Sequence, residues 1–235
     1  MSGVSRYPLL NEFAQFIDAP DPVYGTGVDG TITFDGTSTV LGLTPSSNVY
    51  TMTSDIHAYN MTISAGVRIQ PNGYRIFVKN ILTFGGANAK IGYLSGFSGD
   101  GSIKQGADIG FDAVTSLGGS SLIRLAVAPA ASVGGTQYYD NPRYAVLGYS
   151  ITANGLTFLR GGAGSALEAG GGIVIVAARY ISPPTSGTAY IQAPANNGAG
   201  GGVIIIVSTH AALPTGIVTD VSGYASGTVK YLRAV

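Results

Sequence analysis

Gly25-Thr26-Gly27-Val28-Asp29-Gly30 matches G-x-G-x-x-G. In a dinucleotide site that spacing gives a tight turn, close approach of the backbone to a pyrophosphate, and a helix N-terminus to receive it. Here the segment runs into Thr31-Ile32-Thr33-Phe34, a strand pattern, so the glycines are expected to form a turn entering the first strand. The two histidines, His57 and His210, lie far apart in sequence, with Asp55 the one acid near either. A zinc site takes about four ligands at short spacings, so both are expected to be strand or loop residues and no metal site is expected. The acids Asp100, Asp108, Asp112, Asp140, Glu168 and Asp220 are scattered. Two carboxylates facing each other across a groove suffice for a glycosidase, whereas Asp in Gly-rich sequence more commonly forms turns. There is no cysteine, no Walker lysine and no G-x-S-x-G turn, so neither a thiolate nor an activated serine is available. The expectation is a protein without catalytic residues, cofactor or metal.

The densest polar-aromatic cluster runs from Gln137 to Tyr144. Tyrosine offers a flat apolar face and a hydroxyl, which suits a sugar ring or a protein partner, and Asp140 and Arg143 add directional hydrogen bonds. Tyr138, Tyr139, Asp140, Arg143 and Tyr144 are thus a candidate contact loop. The competing expectation is that these rings cover a scaffold edge or pack at a subunit interface.

Such residues need elements to hold them, and the text of the chain is mostly strand and turn. Gly170-Gly171-Gly172-Ile173-Val174-Ile175-Val176 recurs thirty positions on as Gly200-Gly201-Gly202-Val203-Ile204-Ile205-Ile206. Self-similarity at that period signals stacked supersecondary units, each burying its strand against the next. The apolar runs have no polar face, so both of their sides must be covered. In each unit a second strand follows after proline: Thr188 to Ala193 after Pro183-Pro184, and Ile217 to Ser222 after Pro214. The Tyr74 to Leu82 segment reads as an earlier, more polar copy. Pro45-Ser46-Ser47-Asn48 and Pro71-Asn72-Gly73 mark turns.

The first 28 residues differ: Leu9, Phe13, Phe16 and Ile17 fall on one face at helical spacing before Asp18-Ala19-Pro20-Asp21-Pro22 ends the pattern. This short helix is expected either to cap the end of the β scaffold or to dock the chain into a larger assembly. Residues 29–235 form the scaffold, interrupted at about 85–142 by an irregular Gly, Ser and Ala-rich excursion in which Leu122 to Val127 is the one expected strand. The fold class is all-β, a Gly-rich β-solenoid of stacked strands, with a β-sandwich as the second architecture.

Composition narrows the partners. Only 10% of residues are charged, well below an ordinary soluble surface, so much of this surface is expected to meet other subunits. Twelve basic and twelve acidic residues leave zero net charge and no steering field for nucleic acid. No apolar run reaches the ~18 residues of a bilayer span, and the N-terminus lacks an apolar signal region, so synthesis in a cytoplasm is expected.

Asn60-Met61-Thr62-Ile63-Ser64-Ala65-Gly66-Val67, Pro71-Asn72-Gly73-Tyr74-Arg75-Ile76-Phe77-Val78-Lys79, Ile151-Thr152-Ala153-Asn154-Gly155 and the two Gly-Gly-Gly strands together resemble a glycine-rich family of tailed-bacteriophage virion proteins. The likeness covers roughly residues 30 to 90 and 145 to 235. It implies a non-enzymatic tail, appendage or other structural protein of the virion, with no catalytic residues to carry over. The expected partners are further copies of itself, a trimer by analogy with phage fibres, other virion proteins, and a glycan or receptor on the host surface. A capsid decoration protein and a polysaccharide depolymerase on a β-solenoid are the alternatives.

Overall fold

The computed structural model describes residues 22–93, 149–152, 155–158, 171–195, 200–224 and 226–234. The expected N-terminal helix, with Leu9, Phe13, Phe16 and Ile17, lies outside them. The described chain is all-β with almost no helix: one 3-10 turn, η1 (Pro22–Tyr24), precedes fourteen strands.

Two parallel sheets carry the fold. The first contains β1 (Thr31–Phe34), β3 (Ile56–Ala58), β4 (Asn60–Ile63), β6 (Ile76–Phe84), β10 (Ile173–Ser182), β12 (Val203–Ser208) and β14 (Thr228–Arg233). The second contains β2 (Val49–Thr51), β5 (Arg68–Gln70), β7 (Lys90–Gly92), β11 (Ala189–Gln192) and β13 (Ile217–Asp220). The chain crosses from one sheet to the other and back, and within each sheet the strands stand in sequence order, except that β3 and β4 both pair with β6. Each crossing therefore adds one layer on top of the last.

The thirty-residue repeat is a stacking register. Ile173 pairs with Val203, Ile175 with Ile205 and Ala177 with Val207, all in parallel. Ile175 is 1% exposed and Ile205 0%, so the two occupy equivalent buried positions. The earlier copy stacks beneath them, with Ile76, Phe77 and Val78 opposite Val176, Ala177 and Ala178. One extra residue in β6 then shifts the register, so that Ile81 faces Tyr180.

Alternation along the strands separates two apolar clusters. The larger fills the space between the sheets: Phe34, Tyr50, Met61, Ile69, Ile76, Phe84, Ile91, Val176, Ile191 and Ile206 are among its members. The smaller lies on the other face of the first sheet, where Ile173, Ile175, Val203 and Ile205 meet Val23 and Tyr24 of η1, Phe77 and Leu232. Both faces of β12 and of Ile173–Ala178 in β10 are buried, as their unbroken apolar runs require. Each such side chain contributes about 1.5–3 kcal/mol. The turns between layers fall at the expected punctuation: Asn48 and Asn72 take φ of 63° and 51°, a left-handed conformation that Asn tolerates better than most residues.

Two features differ from the sequence pattern. The tract expected to be irregular from about residue 85 still belongs to the second sheet up to Gly92, because Lys90 and Ile91 pair with Arg68 and Ile69. Three residues are too short a run to display a period. Tyr149–Thr152 (β8) and Gly155–Phe158 (β9) pair antiparallel with each other in a separate two-stranded sheet, and do not join the stacked strands.

Candidate functional site

The two stacked sheets close over the long central tract as if it were absent. β6 pairs directly with β10 and β7 directly with β11, although eighty residues separate β7 from β10. The stacked strands break off at Tyr93 and resume at Gly171, and the structure around these two points is specialised.

Tyr93 is held on every side. Its N–H donates to the Gln192 carbonyl at 3.1 Å, and the Gln192 side-chain amide donates back to the Tyr93 carbonyl at 2.8 Å. Its hydroxyl accepts from the Gly73 N–H at 3.0 Å and donates to the Ile173 carbonyl at 3.3 Å. Burial pushes the phenol pKa far up, opposed by the Gly73 hydrogen bond, so the group stays a neutral donor. The ring packs against Gly172, where a Cβ would collide with the Tyr93 Cε2, Cζ and Cδ2 atoms. One layer higher Gly202 fills the matching place, and a Cβ there would strike the Gly172 carbonyl. The glycine triplets thus permit backbone to stack on backbone at the corner between the sheets. The junction of Tyr93, Gln192 and Gly172 is a clamp, and its groups are neutral: the arrangement can hold but offers no acid-base pair.

The sequence-singled residues sort as follows. The candidate contact loop Tyr138, Tyr139, Asp140, Arg143 and Tyr144, the helix residues Leu9, Phe13, Phe16 and Ile17, and the acids Asp100, Asp108, Asp112 and Glu168 all lie outside the described residues. Asp220 caps a turn, its Oδ1 accepting from the Ser222 N–H at 2.9 Å. Asp35 does likewise. The Ser38 hydroxyl and the backbone N–H groups of Ser38 and Thr37 donate to it and hold its pKa far below the usual carboxylate range.

His57 stacks on Phe77 with ring centroids 4.8 Å apart and planes 10° from parallel. The His57 backbone N–H donates to Asp29 Oδ2 at 2.6 Å, while the ring Nδ1 is buried without a hydrogen-bond partner. The G-x-G-x-x-G turn sits on this pair. Gly25 has a φ of +76°, and a Cβ on it would stand 2.6 Å from Phe77 Cβ and 2.8 Å from His57 Nδ1. The glycines serve close packing before a strand, and the turn opens no helix. His210 Nε2 accepts from the Ile181 N–H at 3.1 Å, which fixes that nitrogen as the unprotonated one. Asp55 receives the Arg75 backbone N–H and Nε, each at 2.8 Å, and so braces the entry to β6. Among the described residues no group of three or more His, Cys, Asp or Glu could hold a metal ion, and no helix is long and apolar enough to cross a membrane.

Sequence reasoning missed Tyr93 and Gln192. The one signal was an aromatic residue closing Lys90-Ile91-Gly92 just before a Gly- and Ser-rich tract. Comparison of the chain with protein-family models, with curated proteins and with solved structures finds no match.

Proposed function

We propose that this chain is a non-enzymatic structural protein of a tailed-phage virion, a β-solenoid whose irregular central tract supplies the loops that meet the outside. The observation that supports this most is the clamped root: the layers on either side of the excursion stack directly on each other, and Tyr93, Gln192 and Gly172 lock the point of exit. A scaffold with that construction transmits load through its strands whatever the excursion does. Its low charge suits burial against copies of itself, a trimer in this proposal, and against neighbouring virion proteins. The resemblance in the Asn60 to Lys79 stretch and the Gly-Gly-Gly strands points the same way. Contact with a host surface glycan or receptor would fall to the excursion and the outer sheet faces.

The test is to locate the chain on intact particles by labelling and to count its copies. A few to tens of copies at the tail support an appendage, and hundreds on the head would make it a decoration protein instead. Absence from purified particles refutes the virion assignment. Shortening of host polysaccharide by the purified chain, abolished by replacing one acid among Asp100, Asp108, Asp112 or Asp140, would establish a depolymerase in its place.

A further inference from the structure

The outer face of the second sheet carries one row of side chains across all five strands: Val49, Arg68, Lys90, Tyr190 and Val218, each paired in register with the next. Strand alternation fixes their direction, because their neighbours Tyr50, Ile69, Ile91 and Ile191 are fully buried in the core between the sheets. Arg68 and Lys90 therefore stand side by side on adjacent strands, whose backbones are about 4.8 Å apart.

Nothing among the described residues compensates them. The ion pair found there joins Arg75 to Asp55, elsewhere in the fold. Lys90 Nζ lies 5.1 Å from the centroid of the Tyr190 ring, a cation-π contact that leaves its hydrogen-bonding capacity unused. Arg68 is the more exacting case. It is 9% exposed, and its Nη1 is buried with no hydrogen-bond partner. Burial alone lowers its pKa, with no neighbouring charge acting against it. A nearly buried guanidinium without a partner is costly, and the same position suits an oxyanion that presents two oxygens to its N–H groups.

We propose that Arg68 and Lys90 form a binding site for the oxyanion of an acidic saccharide, with the charged group on Arg68 and the sugar ring lying over the neighbouring half-exposed Tyr190 and the exposed Val218. This deepens the host-surface part of the proposed function and rests on it. A saccharide fits the row because point charge and apolar, ring-sized surface alternate along it, with Val218 46% exposed. The oxyanion is a carboxylate in a uronic acid or a sulfate ester in a sulfated sugar, and both match the guanidinium fork.

The experiment is calorimetric titration of the full chain with glucuronate, glucose 6-sulfate, neutral glucose and a poly-aspartate peptide. Saturable binding of glucuronate or of glucose 6-sulfate, absent with glucose and weakened as salt rises, is the expected result. Either sugar alone supports the site and identifies its anion. Arg68→Gln should cost at least tenfold in affinity, and Lys90→Gln several-fold. Without ligand, Arg68→Gln should leave the unfolding midpoint unchanged or raise it, because it removes an uncompensated buried charge. A lowered midpoint would mean that Arg68 already has a partner in the folded chain, and would overturn the proposal. So would equal binding of glucose and glucuronate, binding of poly-aspartate alone, or no binding at all. A chain that sits on virions but binds neither acidic sugar refutes this site and leaves the scaffold standing. A chain that binds them but is absent from virions does the reverse.

Discussion

Gly172→Ala tests the clamp at the excursion root, because the three atoms nearest to a Cβ at that position all belong to the Tyr93 ring. The φ of Gly172 lies outside the left-handed region, so an alanine there suits the backbone and meets its difficulty in the ring alone. Overpacking of this kind costs about 1–3 kcal/mol, here at the upper end because the ring is pinned by hydrogen bonds to Gly73 and Ile173. In a Tyr93→Ala background the obstacle is gone. The same substitution should then stabilise by about 0.4–1 kcal/mol, since alanine restricts the unfolded chain more than glycine does. The sign reverses, and the two sites couple by about 3–4 kcal/mol. Thermal unfolding followed by circular dichroism reads this as a drop of roughly 6–12 °C for Gly172→Ala alone and a small rise when it is added to Tyr93→Ala. Gly202→Ala is the control: its Cβ meets the Gly172 backbone carbonyl, so Tyr93→Ala should not rescue it. Additive effects at Gly172 and Tyr93, or rescue at Gly202, would refute the packing argument.

Replacing residues 94–170 by a short Gly-Ser linker should leave the parallel-strand circular dichroism intact, because β6 meets β10 and β7 meets β11 without that tract; loss of the folded signal would show that the excursion builds the scaffold. Ile205→Asp should abolish folding of the C-terminal layers, since the position is 0% exposed and offers a carboxylate no partner, while Ile205→Val should cost only about 0.5–1.5 kcal/mol; a soluble, fully folded Asp variant would contradict the burial. Burial raises the pKa of Tyr93, Tyr50 and Tyr231 above that of an unfolded tyrosine, so their contribution is complete below pH ~10 and is lost as pH rises beyond it. Stability measured in urea should therefore fall above pH ~10, with a shallower slope in Tyr93→Phe; a flat profile would place these phenols in water. The isolated chain should sediment as an oligomer at micromolar concentration, and a stable monomer would rule out obligate self-assembly.

The strands themselves were legible from residue types alone. Ile173 to Val176 and Val203 to Ile206 announce their equivalence through the Gly triplets before them, and their lack of a polar face requires cover on both sides, as the two clusters supply. Thr31 to Phe34 announces one buried face through its alternation, and Asn48 and Asn72 announce turns. These are local properties: a period of two and a tolerance for left-handed φ are carried by a few consecutive residues. Only the tertiary structure decided which strand lies beside which. Arg68 and Lys90 became neighbours because β5 and β7 stack in one sheet with β6 crossing to the other in between, and nothing in either three-residue strand encodes that distant register. Tyr93 meets Gly172 for the same reason, across a tract whose length has no bearing on the contact. A sequence pattern gives the face on which a side chain stands, whereas its neighbours on that face come from pairing across layers, where the hydrogen bonds are between backbones and carry no residue label.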